Sequence, residues 1–163
     1  MCDLSMSYLK TILLITVTVF AVGDTDAREL KWTPLTIEAA DGGAHTFEVE
    51  VVNTRRSRRR GLMFRKTLGK NRGMLFDFKK EVPISMWMSN TLISLDMLFI
   101  GDDGRISSIV ESTRPLTRDS IRSEQPVRAV LEVNAGTALQ LGIKAGDWVR
   151  HEIFEKTRLK RKW

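Results

Sequence analysis

Leu35-Thr36-Ile37-Glu38-Ala39-Ala40-Asp41-Gly42-Gly43-Ala44-His45-Thr46-Phe47-Glu48-Val49-Glu50-Val51 is the stretch that decides the fold class. Apolar and polar residues alternate on both sides of Asp41-Gly42-Gly43, the period of a half-buried strand. Phe47, Val49 and Val51 are expected to face a core, and Glu48 and Glu50 the solvent. The Gly-rich turn makes the two runs a β-hairpin. The pattern recurs further along. Leu95-Asp96-Met97-Leu98-Phe99-Ile100 meets Gly101-Asp102-Asp103-Gly104 and returns through Arg105-Ile106-Ser107-Ser108-Ile109-Val110, a second hairpin. Gly73–Phe78, Ile84–Met88, Ala129–Val133 and Asp147–Phe154 read as further strands.

Two short helices interrupt this pattern. Thr54 or Asn53 caps the first, which carries an arginine run and ends near Gly61. The second spans Ala135 to Leu141 and closes at Gly142. Residues 112–126, with Pro115 and Pro126, read as a long surface loop. About eight short strands and two helices predict an α+β, mainly β domain. A compact antiparallel, barrel-like sheet would bury its apolar faces and hide its edges.

Composition bounds the rest. The chain has 163 residues, 42% of them hydrophobic and 28% charged, which excludes a disordered polymer. One cysteine excludes an intramolecular disulfide framework and a Cys-rich zinc site. The two histidines, His45 and His151, lie far apart on predicted strands, so no metal or other cofactor is expected. Ile12 to Val22 is an uncharged apolar run preceded by Lys10, too short to span a bilayer and of the length of a signal-peptide core. Ala21/Gly23 or Thr25/Ala27 would serve a cleavage site; an uncleaved anchor and an unstructured tail are the alternatives. The expected organisation is therefore a signal peptide over 1–27, one β-rich domain over 28–155, and a basic tail over 156–163. Cleavage after Ala27 removes Lys10, Asp3, Asp24 and Asp26. It leaves 25 basic residues (26 − 1) against 17 acidic ones (20 − 3), or +8. A periplasmic or secreted location follows as an expectation.

Three constellations carry chemistry. Arg55, Arg56, Arg58, Arg59 and Arg60 form a cationic patch that is either a solvated helix, partly paired with Glu48 or Glu50, or a site for an anionic surface. Nucleic acid is a weaker reading, because no aromatic is interleaved. The second constellation joins Trp87, Asn90 and Thr91 to Asp96, an acid inside an apolar run that needs a partner. Arg60 or Arg65 is the expected partner. This set is either a structural ion pair beside an Asn-capped turn or a ligand pocket walled by Trp87. A general acid/base role for Asp96 is the remaining possibility. The third, Gly142 to Asp147, is turn chemistry; no helix follows that would make it a phosphate cradle. No Gly-x-Ser-x-Gly, Walker loop or dinucleotide fingerprint is present.

Several of these segments occur together in order. They are Arg60-Gly61-Leu62-Met63-Phe64-Arg65, Gly73-Met74-Leu75-Phe76, Met86 to Asp96, Val130-Leu131-Glu132-Val133, and Gly142-Ile143 with Gly146-Asp147. The set resembles the domain-of-unknown-function 192 family, also called uncharacterised protein family 0127, over roughly residues 33–155. Ser89 and Ser94 depart from a common Lys and a common Pro. The resemblance implies a mainly β domain, often behind a signal peptide in bacteria, with no established activity. Its recurrent polar positions fall on Arg60, Arg65, Trp87, Asn90, Thr91 and Asp96. The leading expectation is a non-enzymatic, exported accessory domain of the cell envelope that binds a small ligand, glycan or peptide. An envelope hydrolase using Asp96, or a protein bound to an anionic membrane surface, is the alternative. The oligomeric state is left open.

Overall fold

The computed structural model describes residues 31–155. The signal-peptide and basic-tail expectations lie outside these residues. Nine strands and two short helices, with a third helical turn at residues 152–155, make up the described residues. The strands and the two helices are β1 (Trp32–Glu38), β2 (Ala44–Val52), α1 (Arg55–Arg60), β3 (Arg72–Val82), β4 (Ser85–Met86), β5 (Leu95–Ile100), β6 (Ile106–Val110), β7 (Ile121–Arg122), β8 (Val127–Asn134), α2 (Thr137–Leu141) and β9 (Trp148–Arg150). Seven strands form one sheet in the order β6-β5-β8-β3-β2-β1-β9, and β4 pairs with β7 separately.

The sheet curls until its edges touch. Arg105, just before β6, bridges Trp148 of β9, and the Ile106 N–H donates to the Asp147 carbonyl at 2.9 Å. Gly104 allows this contact. Its φ is +91°, and a Cβ there would lie 2.6 Å from the Val149 carbonyl oxygen.

One pairing departs from the antiparallel expectation: β2 and β3 run parallel, Val49 opposite Gly73. The long connection 53–71 crosses over with α1 inside it, and such crossovers join parallel strands. Two strand expectations also shorten. Of Ile84–Met88 only Ser85 and Met86 form strand pairs, with Arg122 and Ile121. The last strand ends at Arg150, because the Phe154 N–H turns back to the His151 carbonyl at 3.0 Å. Residues 152–155 are helical and bury Phe154. The 112–126 loop, read as surface, contributes β7 and buries Thr113. The Thr113 hydroxyl donates to the Leu95 carbonyl (2.9 Å) and accepts from the Leu95 N–H (3.1 Å).

The core has two parts, one on each face of the sheet. Leu35, Phe47, Leu75, Leu98, Leu131 and Val149 come from strands all along the sheet and fill the inside of the curl. Met74, Phe76, Met97, Phe99 and Val130 point outward and are covered by Leu62, Met86 and Met88. Strands β3, β5 and β8 are therefore apolar on both faces, which explains their nearly unbroken hydrophobic runs. The outer core positions the candidate site.

Candidate functional site

The connection after β2 builds one wall. Thr54 caps α1, its hydroxyl accepting from the Ser57 N–H at 3.1 Å, and the Ser57 hydroxyl accepts from the Thr54 N–H at 3.1 Å. This reciprocal pairing satisfies two end donors of a helix too short to persist alone. Arg58 fastens the helix to the sheet. Its Nη1 donates to the Asn53 and Asp77 carbonyls at 2.9 Å each, and its guanidinium lies 4.7 Å from the Phe78 ring centroid. Arg55, Arg56, Arg59 and Arg60 make no such bonds among the described residues. Their expected pairing with Glu48 or Glu50 does not occur. Gly61 ends the helix at φ +47°; a Cβ there would come within 3.1 Å of the Phe76 ring.

Between α1, β4 and the outer face of the sheet lies a cavity of about 270 Å³. Leu62, Met63, Phe76, Phe78, Met86 and Trp87 give it apolar walls, and Arg55, Arg59 and Arg60 stand around it. Thr91 also borders it. Glu132 of β8 lines the same cavity. Its neighbours in register are Met74 on one side and Met97 on the other. The residue is only 4% exposed, and no hydrogen bond or ion pair from a described residue reaches its carboxyl. Burial alone pushes its pKa up to about 8. At neutral pH it is a neutral acid with an O–H to donate.

Two strands away on the same face, Glu50 is also buried, contrary to its expected solvent position. Arg65 holds it with two parallel bonds of 2.6 Å, Nη1 to Oε1 and Nη2 to Oε2. These bonds raise the arginine pKa against the opposing effect of burial. The contrast is chemical: one buried acid has its guanidinium, the other has none.

The expected partnership of Asp96 with Arg60 or Arg65 is not what the structure shows. Arg65 serves Glu50, and Arg60 borders the cavity. Asp96 is fully buried and accepts from three backbone N–H groups: Ser112 (2.8 Å) and Gly136 (3.1 Å) at Oδ1, Ala138 (2.9 Å) at Oδ2. Gly136 has no side chain to cap α2, so Asp96 caps that helix from the neighbouring strand. It is not among the residues lining the cavity, and its oxygens are taken by backbone N–H groups. Thus Arg60, Trp87 and Thr91 meet at one cavity, while Arg65 and Asp96 serve the scaffold. Asn90 joins Arg56, Arg59, Arg60, Phe64 and Trp87 around an adjoining shallow concavity. Its φ of 57° is a left-handed value that Asn tolerates. The departures from the family pattern are accommodated: Ser94 donates to the Thr113 carbonyl at 2.7 Å, and Ser89 is buried.

Glu132 was missed from sequence, although the signal was present. Val130-Leu131-Glu132-Val133 places an acid in an apolar strand, as Leu95-Asp96-Met97 does, and the same burial argument applies to both. His151 is a buried histidine whose Nε2 lies 2.9 Å from the Thr33 hydroxyl; burial lowers its pKa. Among the described residues no cluster of three or more His, Cys, Asp or Glu could hold a metal. No helix among them is long and apolar enough to cross a membrane.

Solved structures with this architecture exist. One is a crystal structure from Sinorhizobium meliloti 1021 described as a "putative transcription regulator". It is 40% identical, with a TM-score of 0.72, covering 75% of this chain and 96% of that one. Another, a protein of unknown function from Novosphingobium aromaticivorans DSM 12444, is 37% identical with a TM-score of 0.73, covering 77% of this chain and 89% of that one. No curated protein matches. The model of the family DUF192, described as Uncharacterized ACR, matches residues 36–151. The chain belongs to the domain-of-unknown-function 192 family.

Proposed function

We propose that the protein is a non-enzymatic, exported binding domain whose cavity takes a small organic anion with a flat apolar body. The observation that carries this reading is Glu132, a buried carboxyl without a partner that faces an apolar cavity ringed by arginines. An isolated buried acid destabilises the fold, and a ligand that accepts its proton in a hydrogen bond offsets that cost. A cationic ligand would have to pass the arginines; an anion is drawn to them. Trp87 and Phe76 line the cavity with aromatic surface that suits a flat body. About 270 Å³ lies just below the usual range for drug-sized ligands. That volume favours a small molecule over a peptide or glycan chain. Export rests on the apolar run Ile12 to Val22, and N-terminal mass spectrometry of the cell-envelope fraction tests it.

Isothermal calorimetry with 6-acetyl-2-naphthoate tests the site. Its carboxylate suits the arginines and its ketone the Glu132 O–H. Binding is expected near neutral pH, should survive Glu132→Gln, whose amide still donates, and should weaken roughly tenfold or more in Glu132→Leu, the loss of one hydrogen bond of about 1.5 kcal/mol. Equal affinity for the corresponding naphthylmethylamine, or indifference to Glu132→Leu, would refute the reading.

DNA is the second reading. It is favoured by the description of the Sinorhizobium meliloti relative together with the arginine helix. A six-residue helix is about 9 Å long, which suits phosphate contact more than base readout. A salt-sensitive gel shift on random-sequence duplex would support it.

A further inference from the structure

Five large apolar side chains are exposed among the described residues: Phe64, Trp87, Leu92, Leu116 and Leu139. Four of them sit on neighbouring loops. The Phe64 N–H donates to the Asn90 carbonyl at 2.8 Å, and the Leu116 N–H donates to the Thr91 carbonyl at 3.1 Å. These two bonds stitch the segments at 64, 90–92 and 116 side by side. Phe64 and Trp87 also flank the shallow concavity with Arg56, Arg59 and Arg60. The exposures are 67% for Phe64, 60% for Leu116, 52% for Trp87 and 43% for Leu92.

Two of these residues are held in an unfavourable backbone conformation. Phe64 has φ 64° and Leu116 φ 63°. Bulky side chains rarely adopt this left-handed region, and strain of this kind persists where a function retains it. Both side chains stand largely in solvent, so packing against the core does not offset the strain. An Asn or Gly at either position would relieve the backbone and remove an exposed apolar group. The structure keeps the costly choice twice, on adjacent loops.

We infer that these loops dock the domain on an anionic lipid bilayer, with Phe64, Trp87, Leu92 and Leu116 entering the interface and Arg56, Arg59 and Arg60 meeting the headgroups. Exposed apolar side chains beside a cationic helix face match the boundary of an anionic bilayer, where apolar groups enter the acyl edge and arginines meet the headgroups. Trp and Phe favour the membrane–water boundary. The arginines are free of acidic partners among the described residues, and each basic residue near an anionic surface adds to the attraction. The inference does not rest on the ligand proposed for the cavity. It requires only the loops and the exposed face of α1.

The test is cosedimentation of the full chain with vesicles of phosphatidylglycerol and phosphatidylcholine mixed roughly one to one, against phosphatidylcholine alone. Binding to the mixed vesicles is expected, falling as ionic strength rises from about 0.01 M to about 0.15 M. Phe64→Asn and Leu116→Asn should each reduce the partition coefficient roughly tenfold or more, the loss of a partly buried apolar side chain. Because Asn suits the left-handed backbone, both variants should melt at or above the parent temperature, which separates lost docking from lost folding. Arg59→Ala with Arg60→Ala should remove the preference for phosphatidylglycerol. Leu139→Ser, on α2, should leave binding unchanged. Equal association with neutral vesicles, no association with either, or indifference to Phe64→Asn would overturn the inference. So would a concentration-dependent dimer abolished by Phe64→Asn, which would assign the patch to a second copy.

Discussion

Replacing Glu132 with Gln should stabilise the protein by an amount that grows with pH. Burial between Met74 and Met97 raises the Glu132 pKa from its ordinary 4.5 to about 8. The folded protein therefore keeps a proton that the unfolded chain releases above pH 4.5. Between those values the unfolded state binds fewer protons, so stability falls as pH rises. The contribution is fully present below pH 4.5 and lost by the time pH has passed about 8. At pH 7 the deficit is about 2.5 pH units at about 1.4 kcal/mol each, or roughly 3 kcal/mol. It levels off near 5 kcal/mol above pH 9, from roughly 3.5 units. Gln fills the same volume and does not titrate. Urea denaturation of both proteins from pH 4.5 to pH 9 reads the difference directly. At a slope of about 1–3 kcal/mol per M, the variant midpoint at pH 7 should be higher by about 1–3 M. Asp77, lowered because Lys79 and Arg128 outweigh its burial, and His151 titrate in both proteins and cancel. Parallel stability curves would show that Glu132 is not a buried, unpartnered acid, and the reasoning would fail with them.

Other outcomes follow from the same contacts. Asp96→Ala strands three backbone N–H groups at α2 and should cost about 3 kcal/mol or more in urea denaturation, while calorimetric ligand binding by the folded fraction is retained. Arg65→Ala leaves Glu50 buried and alone. With the arginine about a third exposed, the cost should be about 2 kcal/mol, below the 3–5 of a fully buried pair. Trp87→Ala should weaken 6-acetyl-2-naphthoate binding roughly tenfold and lower stability by about 1–2 kcal/mol, since about half of the ring is buried. Phe64→Asn should raise the unfolding free energy by about 1 kcal/mol by relieving its left-handed backbone.

The parts of this fold that were legible in the sequence are those decided locally. Asp41-Gly42-Gly43 and Asp103-Gly104 set the hairpins, Thr54 capped α1, and Gly142 closed α2 in the left-handed conformation. The family resemblance carried from motif order to architecture. What stayed hidden depended on distant partners. Ile84 to Met88 alternates as a strand should, with Met86 and Met88 buried and Trp87 out. Which of those residues pair was set by β7, inside a loop with no strand signal of its own. The parallel β2–β3 pair depended on how the 53–71 connection crosses. Burial of Asp96 was readable from Leu95 and Met97, but its partner was not. Backbone N–H groups carry no sequence signature, so the arginines were the visible candidates. Glu132 shows the reverse. Its burial was as readable as that of Asp96, and what the sequence could not show is that Arg65 is committed to Glu50, leaving Glu132 with the cavity.

The most direct measurement of the central claim is the side-chain carboxyl resonance of Glu132, followed by carbon-detected NMR from pH 4 to pH 10 with and without 6-acetyl-2-naphthoate. A midpoint at about 8, moved upward by the ligand, is the predicted result. A midpoint near the ordinary 4.5, unmoved by the ligand, would contradict the account.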